Sequence, residues 1–416
     1  MSLIRHSIYN LAGFVIPTIV AIPSLGILAR TLGTESFGLF TLAFAVVGYA
    51  SIFDAGLTRA VIREISIFRD DIEERNNIIS TATITVTVLG LIAAMLIFFS
   101  VGKIGTFLNV TSDLLPDFER SFKVLSLAVP IFLINQIWLA SLEGMERFGN
   151  INIQRTISSS CLAILPAVFA YYGHGLYYAM LGLVVGRVIS LIISFLFARE
   201  VVLTAGLSFR FQTLKRLIMF GGWITISNII SPVMVYFDRF VISHVLGANR
   251  VAFYTAPSEA VARLLNIPAA LSRALFPKLS GTSLATDKNK LERLSYLLMI
   301  IACLPIVLVG LLFANKIMVL WMGQAYAGEP ASILQILLIG FIFNALAQIP
   351  FSKIQAAGYA KITATLHMVE LLPYLLALYY LTIHFSLIGT ALAWSLRVSF
   401  DFIALYILSR KKYVSR

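Results

Sequence analysis

The chain has 416 residues, of which 59% are hydrophobic and 12% charged, and its mean hydropathy is +0.90. Soluble globular proteins are about half apolar and about a quarter charged, so this composition excludes a water-soluble enzyme or binding domain and indicates an integral membrane protein. The net charge of +12 is compatible with nucleic acid or with an anionic membrane surface, and the positions of the positive residues decide between them. Cys161 and Cys303 lie in apolar runs and predict neither a disulfide framework nor a metal site.

Apolar runs near the length of a membrane-spanning helix recur along the whole chain, separated by short polar breaks. The alternating segments of about ten residues that a transmembrane barrel requires are absent from the sequence. The sequence therefore predicts an all-α integral membrane protein with roughly 12 transmembrane helices. The predicted spans are residues 11–29, 38–56, 79–100, 121–142, 156–173, 176–197, 216–236, 241–262, 295–313, 331–350, 362–381 and 386–409.

The positive residues are distributed unequally between the two sides of the membrane. If the N-terminus is cytoplasmic, 22 of the 32 Lys and Arg residues fall in cytoplasmic segments and 7 in the opposite loops. The positive-inside rule therefore predicts that both termini are cytoplasmic. Because these residues are spread over every inner loop, without an aromatic-interleaved patch, nucleic acid is not an expected partner.

The two halves of the chain resemble each other. Leu32-Gly33 and the eight residues that follow are similar to Leu246-Gly247 and the eight residues that follow, at an offset of 214. This predicts duplication of a six-helix unit: an N-terminal lobe at 1–200, a cytoplasmic linker at 201–215 and a C-terminal lobe at 216–416. Since six crossings return the chain to the same side, we expect the lobes to be related by a pseudo-twofold axis along the membrane normal.

Motifs for catalysis are missing from the sequence. It contains no Walker motif, no glycine-rich nucleotide fingerprint, no Cys/His metal spacing and no nucleophile elbow. We therefore expect neither enzymatic activity nor a cofactor. Any transport must use an ion gradient, the gradient of the substrate or a partner protein.

Three arginines inside the predicted spans are the first candidate functional residues, because a charge at mid-bilayer costs about 2.5–3.5 kcal/mol on insertion scales. Arg187 has no acidic residue three or four positions away, so it is expected to face a cavity, another helix or an anionic ligand. Arg263 follows Glu259 by four residues and Arg397 precedes Asp401 by four, so each pair either neutralises itself on one helix face or lines a cavity. Together the arginines predict a cavity that binds a phosphate or pyrophosphate.

Further charged residues lie within or beside the spans. Glu370 lies inside the eleventh span with His367 three residues before it, and this histidine is expected to make only an ordinary polar contact. Asp54 ends the second span and Arg59 follows at the inner boundary. The dipeptide at 238–239 is expected to end the seventh span on the outer side.

Several segments resemble a known family. Residues 28–40 and 54–64 are similar to the N-terminal half of polysaccharide-biosynthesis flippases of the O-antigen, Wzx-type branch, and residues 236–247, 251–257 and 355–358 are similar to the C-terminal half. This branch belongs to the multidrug/oligosaccharidyl-lipid/polysaccharide exporter superfamily. The resemblance implies a two-lobed transporter in the bacterial inner membrane. It would move an undecaprenyl-diphosphate-linked oligosaccharide, such as an O-antigen unit of lipopolysaccharide, from the inner to the outer leaflet by alternating access. The implied partners are this substrate, membrane lipids, H+ or Na+ as the coupling ion and a polysaccharide polymerase.

Other functions remain open at this point. A drug or organic-cation antiporter of the same superfamily is expected to carry carboxylates in its first span, and residues 11–29 contain neither Asp nor Glu. A lipid II flippase shares the basic cavity but usually has additional C-terminal helices. A membrane-embedded glycosyltransferase or polymerase needs a large outer loop, whereas the longest outer loop predicted here, residues 101–120, is short.

Overall fold

The computed structural model describes residues 2–49, 53–54, 56–272, 285–357 and 359–411, and the elements that it assigns among them are helical. In chain order the helices are α1 (Ser2–Leu32), α2 (Thr34–Tyr49), α3 (Leu57–Ile67), α4 (Ile72–Phe107), α5 (Leu115–Ser126), α6 (Ala128–Gly144), α7 (Phe148–Gly173), α8 (Leu176–Ala205), α9 (Phe211–Leu246), α10 (Ala248–Leu264), α11 (Ala285–Met322), α12 (Glu329–Ala356) and α13 (Ala360–Ser409), with a 3-10 turn at Gln324–Tyr326.

The helices match a membrane environment in length and surface. Within the described ranges, seven helical segments are long and apolar enough to cross a bilayer, and Ile16–Leu32 and Thr34–Val47 are apolar but shorter. Large apolar side chains such as Phe99 and Leu320, exposed by 82% and 80%, cover the outer surfaces of these helices. Such side chains are stable against lipid and unfavourable in water. The predicted all-helical membrane fold is confirmed.

Local sequence signals explain where several helices begin and break. The carboxylate of Asp71 accepts a hydrogen bond from the Glu74 amide at 3.0 Å and so caps the start of α4. Ser386, with φ 55° and ψ −142°, interrupts α13 at the first residue of the predicted span 386–409. The hydroxyls of Thr382 and Thr390 lie 2.8 Å apart across this break. The chain therefore reverses within α13.

One predicted turn is wrong. The spans 216–236 and 241–262 require a break near residues 237–240, but α9 continues to Leu246 and the turn lies at Gly247, where φ is 97°. Asp238 and Arg239 are accordingly buried inside a helix, with 5% and 4% exposure, and do not end it on the outer side. The turn lies at Gly247 because glycine adopts positive φ without steric cost. Asp238 and Arg239 remain in the helix because neighbouring groups can satisfy the charges of a buried Asp-Arg pair.

The breaks between helices repeat along the chain. Gly33 separates α1 from α2 with φ 74°, and Gly247, 214 residues later, separates α9 from α10 with φ 97°. Asn109 follows α4 with φ 51°, and Gly323, again 214 residues later, follows α11 with φ 105°. This correspondence supports the predicted duplication of a helical unit.

The chain divides into two compact units, which we call the first unit (Met1–Phe240) and the second unit (Val241–Arg416). The division falls inside α9. The boundaries of the two lobes and of the cytoplasmic linker, as inferred from the sequence, remain predictions. In the first unit α3, α4 and α6 pack closely around buried residues such as Leu57, Ile78 and Leu133. A Cβ on Gly90 of α4 would lie 2.7 Å from the Cα of Pro130 in α6. Small residues thus allow close backbone approach, which favours helix association where lipid supplies no hydrophobic driving force.

Ion pairs connect helix ends at one end of the first unit. They join the α3–α4, α6–α7 and α8–α9 connections, which are the segments predicted to be cytoplasmic. The pairs are Arg69–Glu146 at 3.1 Å, Arg147–Glu200 at 3.6 Å, Arg155–Glu143 at 3.4 Å and Arg210–Glu73 at 2.9 Å. In the second unit Glu292 similarly binds Lys353 and Arg410, each at 2.9 Å.

Candidate functional site

Arg187 lies on α8 and has no hydrogen bond or ion pair with the residues that the structure describes. Its Nε is buried without an acceptor. The guanidinium lies over the ring of Phe132 in α6, with 4.8 Å from Cζ to the ring centroid. Since an aromatic face supplies only part of the stabilisation that a carboxylate would, the arginine retains capacity to bind an anion.

The polar side chains on the same face of α8 satisfy one another. Ser194 donates to Oδ1 of Asn135 in α6 at 2.5 Å. Gln154 of α7, which is 1% exposed, donates to the hydroxyls of Ser158 at 2.9 Å and Ser190 at 3.0 Å. Ser190 and Ser194 follow Arg187 by three and seven residues, so the three side chains share one helix face. The neighbouring amides therefore have partners, in contrast to Arg187.

Aromatic residues of α2 and α9 form a second feature of the first unit, which sequence reasoning did not identify. The ring of Tyr49 lies 6.5 Å from Tyr236 and 5.5 Å from Phe240, between centroids. Arg239 lies over the ring of Tyr236, with 5.2 Å from Cζ to the ring centroid. Aromatic residues are so frequent in membrane helices that their sequence positions gave no distinguishing signal.

Asp54 and Arg59 are not brought together. The Asp54 carboxylate accepts hydrogen bonds from the amide and the hydroxyl of Thr58, at 3.1 Å and 3.0 Å, at the start of α3. Asp54 is 5% exposed, and Arg59 is exposed. The local role of Asp54 is to satisfy an amide of the first turn of α3.

Glu259 and Arg263 form the ion pair that their spacing allows. Nη2 of Arg263 lies 3.6 Å from Oε2 of Glu259 on α10, and Nε of Arg263 is buried without an acceptor. Both residues belong to the second unit. The guanidinium therefore has one carboxylate neighbour on its own helix and is less available to an anionic ligand than that of Arg187.

Arg397 and Asp401 do not form the corresponding pair. Oδ1 of Asp401 instead lies 3.5 Å from Nε2 of His367, and Arg397 lies over the ring of Tyr374 at 5.2 Å with its Nε buried and without an acceptor. The interruption at Ser386 folds the second part of α13 back on the first, which brings His367 to Asp401. Neutralisation by i,i+4 spacing is therefore the wrong interpretation for this pair, and His367 contacts a carboxylate distant in sequence.

Glu370 lies one helical turn after His367 and is only 5% exposed. Both of its carboxylate oxygens are buried, and the described residues donate no hydrogen bond to either. It interacts electrostatically with His367, Arg397 and Asp401, and its carboxyl group is within hydrogen-bonding reach of that of Asp401, so one added proton can be shared between them. A buried carboxylate is strongly unfavourable unless it is paired or neutralised. In the parts of the chain that the structure describes, no group of three His, Cys, Asp or Glu residues could hold a metal ion.

The amino-acid sequence is similar to proteins that handle bacterial polysaccharides. The sequence model of a family described as "Polysaccharide biosynthesis protein" matches residues 3–283. A Shigella flexneri protein named "Putative O-antigen transporter" is 48% identical over 401 residues, which are 96% of each chain. A Yersinia pseudotuberculosis protein named "Putative O-antigen export protein" is 26% identical over 61% of this chain and 60% of its own length.

Solved structures share the fold at low sequence identity. A multidrug resistance MATE family transporter of the MOP superfamily, in an inward-facing conformation, matches with a TM-score of 0.78 and 17% identity over 97% of this chain and 98% of its own. The lipid II flippase MurJ in an inward closed conformation matches with a TM-score of 0.78 and 13% identity over 98% of this chain and 88% of its own. The chain therefore has the fold of these transporters.

Proposed function

The chain belongs to the polysaccharide biosynthesis protein family, and on this premise we propose that it is a flippase for an undecaprenyl-diphosphate-linked oligosaccharide. It moves this substrate, an O-antigen repeat unit or a similar glycan, from the inner to the outer leaflet of the bacterial inner membrane. The 48% identity to the Shigella flexneri protein supports O-antigen as the class of glycan.

The observation that carries the proposal is the unpaired guanidinium of Arg187. A lipid diphosphate is polar and anionic, so its passage through hydrocarbon requires a cation that is not already neutralised. The planar guanidinium matches phosphate oxygens in a bidentate arrangement, and the polyprenyl tail remains in lipid. Bound diphosphate would also offset the cost of keeping Arg187 inside the membrane.

The aromatic residues of α2 and α9 suit the sugar part of the same substrate. Tyr49 and Tyr236 present amphipathic rings, and the hydroxyl of Tyr49 is buried with no hydrogen-bond partner among the described residues. A sugar hydroxyl would satisfy it. The first unit therefore offers one group for the diphosphate and an aromatic set for the glycan.

Transport by this chain is proposed to proceed by alternating access without ATP hydrolysis. The coupling ion is H+ or Na+, and the partner that consumes the product is a polymerase acting in the outer leaflet. Both termini are proposed to be cytoplasmic. The clustering of Arg69, Arg147, Arg155 and Arg210 at one end of the first unit supports this orientation through the positive-inside rule.

A lipid II flippase is the alternative that an observation favours, because MurJ has the same fold and the lipid II headgroup is also anionic. An exporter of organic cations is disfavoured, since an unpaired Arg187 would repel its substrate. Complementation distinguishes the two flippases. We expect rescue of surface polysaccharide in a strain lacking its O-antigen flippase and no rescue of a strain depleted of its lipid II flippase. The opposite pattern would assign the chain to lipid II.

The test of the site uses Arg187→Ala, Arg187→Lys and the control Arg155→Ala in the O-antigen strain. Arg155 is an exposed residue whose pair with Glu143 spans 3.4 Å. We expect Arg187→Ala to lose the lipopolysaccharide ladder at normal membrane levels, Arg187→Lys to retain part of it, and the control to match wild type. Full transport by Arg187→Ala would refute the anionic site. Arg263→Ala is expected to have a smaller effect, because the carboxylate of Glu259 lies 3.6 Å from this guanidinium.

A further inference from the structure

The second unit contains a buried ionisable set on α13 that the proposed binding of diphosphate by Arg187 does not use. We call it the α13 set, and it comprises His367 and Glu370 before the break at Ser386 and Arg397 and Asp401 after it. Nε2 of His367 and Oδ1 of Asp401 are 3.5 Å apart, both oxygens of Glu370 are buried without a donor among the described residues, and the carboxyl groups of Glu370 and Asp401 are within hydrogen-bonding reach of each other. Because Glu370 is only 5% exposed, hydration does not offset the cost of its buried negative charge either.

The formal charges within the α13 set define how many protons it should hold. With His367 neutral and both carboxylates ionised, Arg397 balances one of the two negative charges and the set carries one net negative charge. One added proton brings the set to zero, whether it is on Glu370 or on His367. A buried, low-dielectric site favours the neutral arrangement, so the proton can move between these two positions without changing the net charge.

We propose that Glu370 and His367 form a proton-binding site whose occupancy controls the affinity of Arg397 for an anionic ligand. When the proton is bound, the set has no net charge. When it is lost, the set carries one net negative charge, which repels an anion from Arg397. Linkage then requires that anion binding promotes proton binding to the same extent, so proton and anion bind together. This coupling rests on the proposed function, whereas the proton site itself does not.

A proton fits the α13 set better than a sodium ion. Arg397 and His367 occupy positions around Glu370 that a sodium ion would need for oxygen ligands, and neither side chain offers an oxygen. His367 uses Nε2 towards Asp401, and no metal-binding group of three such residues occurs among the described residues. Protonation neutralises Glu370 without requiring a coordination shell.

The charged groups of α12 and α10 are engaged elsewhere. On α12, Lys353 is paired with Glu292 of α11, which also binds Arg410. On α10, Arg263 is paired with Glu259 at 3.6 Å. The α12 residue that faces the set is Phe351, whose ring is stacked on His367 with 6.0 Å between centroids. α9 also packs against α13, through Val241 and Val245, and carries the titratable residue His244 between them in sequence.

Infrared difference spectroscopy of the purified full-length protein in lipid nanodiscs tests the proton site directly. The carbonyl stretch of a protonated carboxyl group is resolved from that of a carboxylate. We expect a pH-dependent carboxylic-acid band in wild type that is absent from Glu370→Gln. His367→Gln should move the midpoint of its titration, while His384→Gln, a change at an exposed histidine of the same helix, should not.

Two results would overturn the proton site. One is a spectrum of Glu370→Gln that retains the wild-type band at every pH. The other is an identical titration midpoint of the carboxylic-acid band in wild type, His367→Gln and His384→Gln. This result can be obtained even if Glu370→Gln does not fold. Neither result depends on transport, so the proton site can fail while rescue of surface polysaccharide still supports the flippase.

Pyrophosphate titration tests the coupling. In weak buffer with a pH indicator, wild type should take up about one proton more per bound pyrophosphate than Glu370→Gln, because the ionisation of pyrophosphate itself contributes equally to both proteins. Between about pH 6 and pH 8 the affinity of wild type should likewise fall relative to that of Glu370→Gln as pH rises. Equal proton uptake by the two proteins contradicts the coupling. Failure of wild type to bind pyrophosphate at all contradicts the coupling and the anionic site of the proposed function together.

Discussion

Nε of Arg216, in the first turns of α9, lies 2.6 Å from Oε2 of Glu64 on α3. Glu64 is 2% exposed and also binds Arg63 at 2.7 Å, while Arg216 forms a second ion pair with Glu74 at the start of α4. Arg216 thus connects α9 to two helices of the first unit. Removing one partner of a buried pair leaves an uncompensated charge, which is more costly than removing an exposed pair.

Arg216→Ala is expected to lower the free energy of unfolding by about 1–3 kcal/mol, because Glu64 retains only Arg63 and the half-exposed Arg216 is partly screened by solvent. Thermal unfolding in detergent measures the change. Arg155→Ala, which removes an exposed ion pair, should lower the free energy of unfolding by only about 0–1 kcal/mol. Adding Glu64→Gln to Arg216→Ala should recover part of the loss. Equal effects of the Arg216 and Arg155 variants would contradict the role of burial.

Gly56 and Gly221 approach each other so closely that a Cβ on Gly56 would collide with the carbonyl group of Gly221. Gly56 also has φ 72° at the start of α3. Gly56→Ala is therefore expected to reduce the yield of folded protein by fluorescence size-exclusion chromatography. Gly33→Ala is the matched control, because Gly33 has φ 74° but a Cβ added to it would meet no atom within 4 Å.

The control is expected to cost only the backbone strain of a positive φ, about 1–2 kcal/mol, whereas Gly56→Ala adds the steric clash. The difference between the two variants isolates the close approach of the two glycines. If both variants lose the same amount of folded protein, the approach contributes nothing to stability.

Ser80 of α4 attaches the segment that joins α8 to α9. Its hydroxyl donates to the carbonyl of Gly206 at 3.0 Å and accepts from the amide of Ser208 at 2.6 Å, and Thr81 accepts from the amide of Arg210 at 3.2 Å. Ser80→Ala should therefore increase hydrogen exchange at the Ser208 amide by about fivefold, since one hydrogen bond contributes about 1 kcal/mol.

Thr87→Val is the control for Ser80→Ala, because the hydroxyl of Thr87 bonds only within α4, to the carbonyl of Thr83 at 2.7 Å. Exchange at Ser208 should be unchanged in this variant. Unchanged exchange in Ser80→Ala as well would show that the segment is held by other contacts, such as the 2.9 Å pair of Arg210 and Glu73.

Ser386 adopts φ 55° and ψ −142°, a region that glycine occupies far more readily than other residues. Ser386→Gly should stabilise the second unit by about 1 kcal/mol through relief of this strain. Ser399→Gly, in the helical second part of α13, should instead destabilise it by about 0.5–1 kcal/mol. Opposite shifts of the thermal midpoint would support the break at Ser386, and a lower midpoint for both variants would argue against it.

Composition and local pattern were sufficient for the class of fold. Apolar run length predicted the helices, and the distribution of Lys and Arg identified connections that the structure brings together at one end of the first unit. The division of α13 at Ser386 was also predictable, because 362–381 and 386–409 are each long enough to span. The turn at Gly247 was missed, since Asp238 and Arg239 resemble the end of a span when burial is not known.

The sequence by itself determined that this chain is an all-helical membrane protein with a few arginines inside its spans. Helical periodicity specifies which residues share one face, but which faces meet depends on packing between helices distant in sequence. Only the tertiary structure decided that Arg263 pairs with Glu259 while Asp401 turns to His367, and that Glu370 is buried without a donor. Arg187 illustrates both stages: its sequence showed no local acid, and the packing of α6, α7 and α8 placed Phe132 beside it and no described carboxylate.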